Sequence, residues 1–420
     1  MPAHRATFRL LCPPFVGTEN RQSFQRPEPM SQPASTKRVI TALSAANFVI
    51  GMGALMVVGL LSPVASDFRI PPAEAGLMMT YYAVGYAILS PLLISLTGQI
   101  GRRRILTAAL VIFALSNLCA LLAPTPTLLF LSRILTATGA GLFTPVAAAV
   151  AAGLSPPDRQ ARALAAVFFG LTLSQVMGVP AGGFIAYTFG WRAAFAMILV
   201  LTLPFIVILW RTVPAGLRFQ PVSLSDLGRS ITNPRDVLAL LFTVFFVGST
   251  FVVYTYIAPL LTETMGFGRN GITLILLLFG GGAVVGNLAS GIVTDRIGAF
   301  RMLIILCVAQ ICLLPFYSLM PLSLWVLIPV CFGWSTFGWS FNAAQQLRLI
   351  SMDRDNAGVL LALNAAAIYV GTALGAYVGG RVLNTAGLLS LGAAAALCAA
   401  GALVLLLVSE ALIRRRRAAL

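Results

Sequence analysis

Few side chains of this sequence could carry out covalent or metal-dependent chemistry. His4 is the only histidine and Lys37 is the only lysine. Because His4 precedes every long apolar segment, those segments cannot form a histidine-dependent triad or a histidine zinc site. Lys37 follows Thr36 and lacks the glycine loop that a phosphate-binding P-loop requires. We therefore expect no enzymatic activity and no cofactor.

The cysteines are also unsuited to chemistry, because they show no metal-ligand spacing. Five of the six lie within apolar segments, where a free cysteine behaves as a small apolar side chain. We expect no metal site from these residues, which are Cys12, Cys119, Cys307, Cys312, Cys331 and Cys398.

The twelve acidic residues are poorly placed for moving a proton, because none lies near the middle of an apolar segment. A buried carboxyl group is the natural proton carrier in a membrane, since burial raises its pKa toward neutrality. The absence of such a group weakens both a proton-exchange mechanism and a preference for cationic molecules.

Arg133 is the one basic residue inside an apolar segment. An arginine within a membrane is costly and usually faces a cavity or a partner. The alternative is a structural arginine that donates hydrogen bonds to backbone carbonyl groups near the outer leaflet.

The chain that positions these residues is 59% hydrophobic and only 10% charged, with a mean hydropathy of +0.92. Such a composition indicates that the solvent is lipid. Apolar runs of about 20 residues recur, each long enough to cross a bilayer as a helix. They are continuously apolar, whereas barrel strands alternate. We predict an all-α membrane protein with twelve transmembrane helices, at 39–62, 75–98, 104–123, 127–150, 162–187, 191–211, 237–261, 271–293, 302–320, 322–346, 357–382 and 388–411.

The basic residues predict the orientation, because cytoplasmic loops carry an excess of lysine and arginine. With the N-terminus inside, the outer loops hold only Arg69, Arg192, Arg269 and Arg381. We therefore place both termini in the cytoplasm, in the inner membrane of a bacterium. The net charge of +16 is spread over several short inner loops, which predicts no nucleic-acid partner.

An internal repeat divides the chain into two similar halves. Gly98-Gln-Ile-Gly101 matches Asp295-Arg-Ile-Gly298, and a glycine group that begins at Gly178 matches one that begins at Gly375, both at the same offset along the chain. We predict two pseudo-symmetric six-helix bundles with a site between them. The predicted units are a disordered tail 1–36, a bundle 37–212, a cytoplasmic linker 213–235, a bundle 236–413 and a basic tail 414–420. Translation starts at Met1 or at Met30.

The two matching loops resemble the loop signature of the major facilitator superfamily. The first copy carries Gly98, Gly101 and Arg102, and the second carries Asp295, Arg296 and Gly298. In the first copy a glycine occupies the acidic position, as it does in some arabinose-efflux-like members. The resemblance implies the major facilitator fold, with Asp295 as the remaining carboxylate of a gating latch.

Two further segments resemble motifs of the drug:proton antiporter branch of that superfamily. Leu131-Ser-Arg133-Ile-Leu-Thr-Ala-Thr-Gly139 is similar to its fourth-span motif, which implies a role for Arg133 in proton relay. The fifth span is similar to the motif that marks exporters, and Gly190-Trp191-Arg192 is typical of the efflux branch. The exporter motif consists of Gly170, Gly178, Pro180, Gly182 and Gly183.

The resemblance implies a monomeric secondary transporter in the lipid bilayer, with a small-molecule substrate and protons as the coupling ion. We expect a proton-coupled exporter of neutral or amphipathic molecules, such as drugs or sugars. An uncoupled facilitator or an importer of a small polar metabolite is the alternative. The candidate cavity residues are Asn47, Tyr82, Phe143, Gln175, Tyr254, Trp334, Asn342 and Asn364, with Trp339 as a further aromatic wall.

Overall fold

The computed structural model describes residues 33–156, 159–217, 232–353 and 356–419. Within these residues every regular element is helical. Twelve spans, numbered 1 to 12 along the chain, are long and apolar enough to cross a membrane. The predicted fold class and the number of spans are therefore confirmed.

Several spans are built from more than one helix, and most extend beyond the apolar run that predicted them. Polar residues at their ends continue the helix beyond the apolar residues, so hydropathy alone underestimates the length of the helices. The helices are Pro33–Leu55 and Val57–Phe68 in span 1; Pro72–Ala75 and Leu77–Leu96 in span 2; Arg102–Leu121 in span 3; Pro126–Gly153 in span 4; Gln160–Leu173, a π-helical turn Ser174–Gly178 and Val179–Phe189 in span 5; Trp191–Thr212 in span 6; Pro234–Tyr254 and Ile257–Met265 in span 7; Arg269–Ile297 in span 8; Ala299–Leu313 and a 3₁₀ turn Leu314–Ser318 in span 9; Leu324–Trp339 and Phe341–Met352 in span 10; Ala357–Ala386 in span 11; and a 3₁₀ turn Leu388–Ser390 and Leu391–Ala419 in span 12.

The described residues cover the predicted units only in part. Residues 1–32 of the predicted tail, with the alternative start at Met30, lie outside them, and span 1 begins within the last four tail residues. Residues 218–231 of the predicted linker also lie outside them. At the C-terminus the helix of span 12 continues through the basic segment to Ala419.

The repeat seen in the sequence is also present in the packing. In the first half, the glycines of span 5 lie against span 1: a Cβ on Gly178 would come within 2.2 Å of the Met52 side chain. In the second half, span 11 lies against span 7 in the same way, and a Cβ on Gly375 would come within 2.4 Å of the Gly248 carbonyl oxygen. Only glycine permits approaches this close, so each half is a tightly packed unit.

The two halves meet mainly toward one end of the molecule. We call this the closed end; it carries the loops between spans 1 and 2, 5 and 6, 7 and 8, and 11 and 12. The opposite, terminal end carries both ends of the described chain and the loops between spans 2 and 3 and between spans 8 and 9. Cross-half contacts pair span 2 with span 11, span 5 with span 8, and span 1 with span 7. At the closed end, Arg269 Nη1 donates to Thr188 Oγ1 at 3.2 Å.

Candidate functional site

A central cavity lies between the halves, about midway through the bundle. It contains about 910 Å³ of space not filled by atoms, part of it open to solvent, and spans 1, 2, 4, 5, 7, 10 and 11 line it. Aromatic side chains from both halves form much of the wall, and none of the described lining residues is Asp, Glu, Lys, Arg or His. The polar lining residues are Thr144, Ser174, Gln175, Thr250, Asn342 and Thr372. An uncharged, mostly apolar wall suits a neutral or amphipathic molecule.

Three of the predicted cavity residues line this space, namely Tyr82, Gln175 and Asn342, and Trp339 also lines it. Gln175 lies in the π-helical turn of span 5, which ends two residues before Pro180. Proline has no N–H to donate, which explains why the regular helix is interrupted here. Such π turns occur frequently at functional sites.

Asn47 and Asn364 lie inside the halves and do not belong to the cavity wall. Asn47 Nδ2 donates to the Val167 carbonyl at 3.1 Å and its Oδ1 accepts from Thr144 at 2.8 Å, which ties spans 1, 4 and 5 together. In the second half, Asn364 Oδ1 accepts from Thr243 Oγ1 at 2.7 Å.

Gln345 completes this second cluster by donating to Thr243 Oγ1 at 3.0 Å and to the Ala239 carbonyl at 2.9 Å. Spans 7, 10 and 11 are thereby joined as spans 1, 4 and 5 are in the first half. Each asparagine thus helps to hold its own half together.

The three remaining predicted residues are aromatic and fully buried. Trp334 packs edge-on against Phe279 and Tyr317, both with ring centroids 4.9 Å from its own, and Tyr254 stacks on Phe279 at 4.2 Å. Phe143 is 0% exposed in the core of the first half. These three large, buried side chains therefore pack behind the cavity wall. The apolar sequence around them does not show whether an aromatic residue lines the cavity or packs behind it.

Arg133 is fully buried and joins span 4 to the break in span 1. Its Nη1 donates to the Gly53 carbonyl at 2.9 Å and its Nη2 to the Ala54 carbonyl at 3.0 Å. Its guanidinium carbon lies 5.0 Å from the centroid of the Tyr82 ring, which lines the cavity. The described chain offers no carboxylate partner for it within ion-pair distance.

This geometry places the positive charge at the C-terminal end of the helix Pro33–Leu55, where the helix dipole favours a cation. These contacts are the ones expected of a structural arginine, since its hydrogen-bond partners are backbone carbonyls. The role of Arg133 in proton relay stays a prediction.

The loop-signature residues differ between the two copies. Gly298 has φ +85° and ends span 8, a backbone conformation that favours glycine, whereas Gly101 has φ −58° and ordinary geometry. Only the second copy therefore has a backbone conformation at this position that requires glycine. Gly98 is buried, and the Arg102 backbone N–H donates to the Leu217 carbonyl at 3.0 Å.

Asp295 and Arg296 are exposed at the terminal end. Asp295 makes no hydrogen bond or ion pair with any described residue. Because the cross-half contacts lie toward the closed end, the partner that a latch would need is not adjacent to this carboxylate in the conformation seen here. The gating role of these residues stays a prediction.

The predicted exporter motif packs as its glycines indicate. A Cβ on Gly170 would meet the Ser44 carbonyl oxygen of span 1 at 2.0 Å, and one on Gly182 would meet Met56 at 2.7 Å. Gly183 instead lies where the halves meet, between Gly59 of the same half and Leu276 of the other. Most of the motif therefore shapes the first half, and its last glycine takes part in the cross-half contact.

Sequence analysis missed two aromatic residues that bring the two halves together at the cavity. Tyr86 of span 2 and Tyr369 of span 11 stack across the two halves with centroids 3.6 Å apart, and both line the cavity. A tyrosine within an apolar span gives no sign of which side it faces, so pattern alone could not have found this pair.

A polar cluster at the closed end of the first half was also missed. Asp67 accepts hydrogen bonds from Trp191 Nε1 at 2.9 Å and from Arg192 Nη1 at 2.7 Å, and Arg192 Nη2 donates to the Ala123 carbonyl at 3.1 Å. The hydrogen bond from Trp191 lowers the pKa of Asp67 most, and the bond from Arg192 lowers it further. Together they hold the pKa below its ordinary value of 3.8. The Gly-Trp-Arg segment that suggested the efflux branch therefore joins spans 1 and 6 at the closed end.

We expect Asp67→Asn to lower the melting temperature slightly at neutral pH, because the half-exposed pair is worth less than about 1 kcal/mol. Since the pKa is lowered on folding, the stabilisation is complete above pH 3.8 and is lost as the pH falls through the lowered pKa. Thermal unfolding in buffers from neutral to strongly acidic pH measures this. Glu263→Gln, at an exposed position, should leave the melting temperature unchanged. If wild type and Asp67→Asn still differed in melting temperature at strongly acidic pH, the charge of Asp67 would not be the cause.

The two packed halves, the cavity between them and its uncharged wall define a membrane transporter of the two-bundle kind. The sequence profile of the Major Facilitator Superfamily matches residues 43–376. This chain belongs to that superfamily, and it is a transporter, not an enzyme.

Similar proteins agree with this assignment. The uncharacterized MFS-type transporter YtbD of Bacillus subtilis (strain 168) is 32% identical over 371 residues, which cover 87% of this chain and 93% of the relative. Inner membrane transport protein YdhP of Escherichia coli (strain K12) is 31% identical over 348 residues, or 82% and 88% of the two chains.

Solved structures share the fold at low sequence identity. A mutant of the nucleoside transporter NupG matches with a TM-score of 0.73 at 14% identity, covering 90% of this chain and 99% of its own. A bacterial homolog of the human lysosomal transporter Spinster, in an inward-facing and occupied conformation, matches with a TM-score of 0.69 at 18% identity, covering 90% and 96%.

Proposed function

We propose that this chain is a proton-coupled exporter of small neutral or amphipathic molecules that works by alternating access. The observation that carries the proposal is the central cavity, which is uncharged, largely aromatic and placed between two halves that meet toward one end. Rocking of the halves about this cavity would expose it first to one side of the membrane and then to the other.

The arginine distribution supports placing the terminal end in the cytoplasm. The closed end would then face outward, so the conformation described here is inward-facing and ready to take up a molecule from the cytoplasm. Both termini would be cytoplasmic and the membrane would be the bacterial inner membrane. The Escherichia coli relative is named an inner membrane transport protein, which supports that location.

Coupling to protons is supported by the resemblance of the Arg133 segment and of the fifth span to antiporter motifs. The alternative is an uncoupled facilitator or an importer of a small polar metabolite. The cavity wall favours the uncoupled facilitator, because the described lining residues include no carboxylate or histidine that could exchange a proton near neutral pH. The partners we propose are one small molecule, protons and the lipid bilayer, for a monomer that binds no nucleic acid.

Proteoliposomes containing the purified chain and an internal pH dye would test both versions. We expect an imposed proton gradient to drive substrate flux, and substrate to cause proton movement, with at least one member of a panel of amphipathic drugs, pentoses and nucleosides. Substrate flux without any proton movement would reject antiport and leave the facilitator. Liposomes without protein, and liposomes with the Tyr86→Cys, Tyr369→Cys pair cross-linked across the halves, are the controls.

A further inference from the structure

Behind the wall of the central cavity, span 9 carries a buried amide whose polar atoms have no partner. Gln310 is 0% exposed. Neither its Nε2 nor its Oε1 makes a hydrogen bond with any described residue. Native proteins rarely leave buried amides unsatisfied, because the lost hydrogen bonds to water are not replaced. Gln310 therefore needs an explanation outside the packing of the chain.

Gly338 of span 10 is what separates this amide from the cavity. Gly338 lines the cavity together with Thr250 of span 7. A Cβ at position 338 would lie 2.9 Å from Gln310 Nε2 and 3.7 Å from Thr250 Oγ1. A larger residue at this position would press against the Gln310 amide, whereas glycine lets the amide lie directly behind the cavity wall. Span 9 contributes no residue to the described cavity wall itself, so Gln310 lies one layer behind it.

Two residues that line the cavity also have unused hydrogen-bonding atoms. Trp339, the neighbour of Gly338, has an Nε1 donor without a partner, and Gln175 on the opposite half has an Oε1 acceptor without one. The cavity region thus has a small number of uncharged hydrogen-bond donors and acceptors without partners, surrounded by aromatic side chains. A polyhydroxylated sugar would need many polar partners, whereas a flat aromatic molecule with one polar group needs few.

We propose that Gln310, Thr250 and Gly338 form a polar subsite in the second-half wall of the cavity. On this basis, which rests on the proposed transport function, the substrate is a flat aromatic molecule with one neutral group that both donates and accepts hydrogen bonds, such as a carboxamide. The Gln310 amide pairs with that group, and the aromatic walls hold the ring.

A matched pair of ligands tests the subsite. 2-Naphthamide and 2-acetylnaphthalene have nearly the same shape, but the second carries a methyl group in place of the amide NH₂ and cannot donate. Isothermal titration calorimetry on the purified full chain in detergent, without a proton gradient, should show tighter binding of the amide by about tenfold. Arabinose should bind more weakly than either ligand.

Gln310→Leu removes the polar atoms at nearly constant size. We expect it to reduce the preference for the amide over the ketone to about onefold, to retain ketone binding and to leave the melting temperature equal to or above that of wild type, since no hydrogen bond within the chain is lost. Gly338→Ala places a methyl group 2.9 Å from Gln310 Nε2, which displaces the amide, and it should also remove the preference. The control is Gln345→Leu, because Gln345 is equally buried but bonds Ala239 and Thr243. It should lower the melting temperature and keep the preference.

Several results would overturn the subsite: equal binding of the two naphthalene ligands to wild type, no binding of either, preference for arabinose, or a Gln310→Leu protein that still prefers the amide. The binding measurement uses no gradient, so it fails or succeeds independently of the flux assay. Proton-coupled flux of a pentose without naphthamide binding would keep the transport function and reject the subsite. Selective naphthamide binding without any flux would keep the subsite and reject the transport function.

Discussion

Substituting Gly280 by alanine should reduce transport at least about tenfold and shift the protein away from the conformation described here. Gly280 lies on span 8, against the π-helical turn of span 5 in the other half. A Cβ added to it would lie 2.5 Å from the Val176 Cα and 2.8 Å from the Gln175 carbonyl oxygen. Both are backbone atoms, so no side-chain rotation relieves the clash, and overpacking of this kind costs about 1–3 kcal/mol.

The clash exists only where the halves meet, so it has little effect on the folding of either half alone. It raises the free energy of the conformation described here, in which the halves are in contact at the closed end. The penalty corresponds to a population shift of about five- to more than a hundredfold. Alternating access requires both states to be visited, so flux falls even if each half folds normally.

Gly281→Ala is the matched control, since the next residue on the same helix meets only the Phe332 ring, at an ordinary 3.7 Å. Spin labels at Phe189→Cys and Asn270→Cys, two exposed positions at the closed end, would report the separation of the halves. Gly280→Ala should lengthen that distance and Gly281→Ala should preserve it. Wild-type flux and distance in Gly280→Ala would contradict the proposed cross-half contact.

The fold was predictable because its main signals are long and repeated. Twelve apolar runs require twelve helices in lipid, since a spanning segment must satisfy its backbone hydrogen bonds internally. The offset that relates Gly178 to Gly375 appears in the structure as two equivalent helix contacts, with Met52 and with Gly248. The exact ends of the helices were less predictable, because polar residues extend a helix without changing its hydropathy.

The cavity was predictable only in part, because a polar or aromatic residue within a span has the same sequence signature whether it faces the cavity or packs inside a half. Asn47 and Asn364 are buried partners of threonine hydroxyls, while Asn342 lines the cavity. Gln310 was overlooked because span 9 carries no motif, and its unsatisfied amide becomes visible only in three dimensions.

For Arg133, the sequence and the structure give complementary information. Its presence in a span marked it as functional, and the structure adds that its hydrogen bonds hold two adjacent carbonyls at the point where span 1 breaks. One guanidinium thereby links span 4, the break in span 1 and, through Tyr82, the cavity wall. A change in this residue should therefore affect movement of span 1 more than the stability of the first half.

We expect Arg133→Met to fold and to lose transport by at least about tenfold. Removing the arginine leaves two carbonyls unsatisfied, at about 1–3 kcal/mol each. It also removes a buried charge that has no counter-ion among the described residues and whose desolvation costs several kcal/mol. The two effects oppose each other, so the melting temperature should change little. Flux in proteoliposomes and thermal unfolding measure the two quantities, with Arg381→Met, an exposed arginine, as the control that changes neither.

Arg133→Lys separates the two roles considered for this residue. Lysine keeps the positive charge, but its single ammonium group cannot reproduce the fork that holds both carbonyls. If the bridge to Gly53 and Ala54 is what transport requires, the lysine variant should be as inactive as Arg133→Met. Transport and proton movement that survive in the lysine variant would show instead that the charge itself is needed, as proton relay implies, and that the two carbonyl contacts are dispensable.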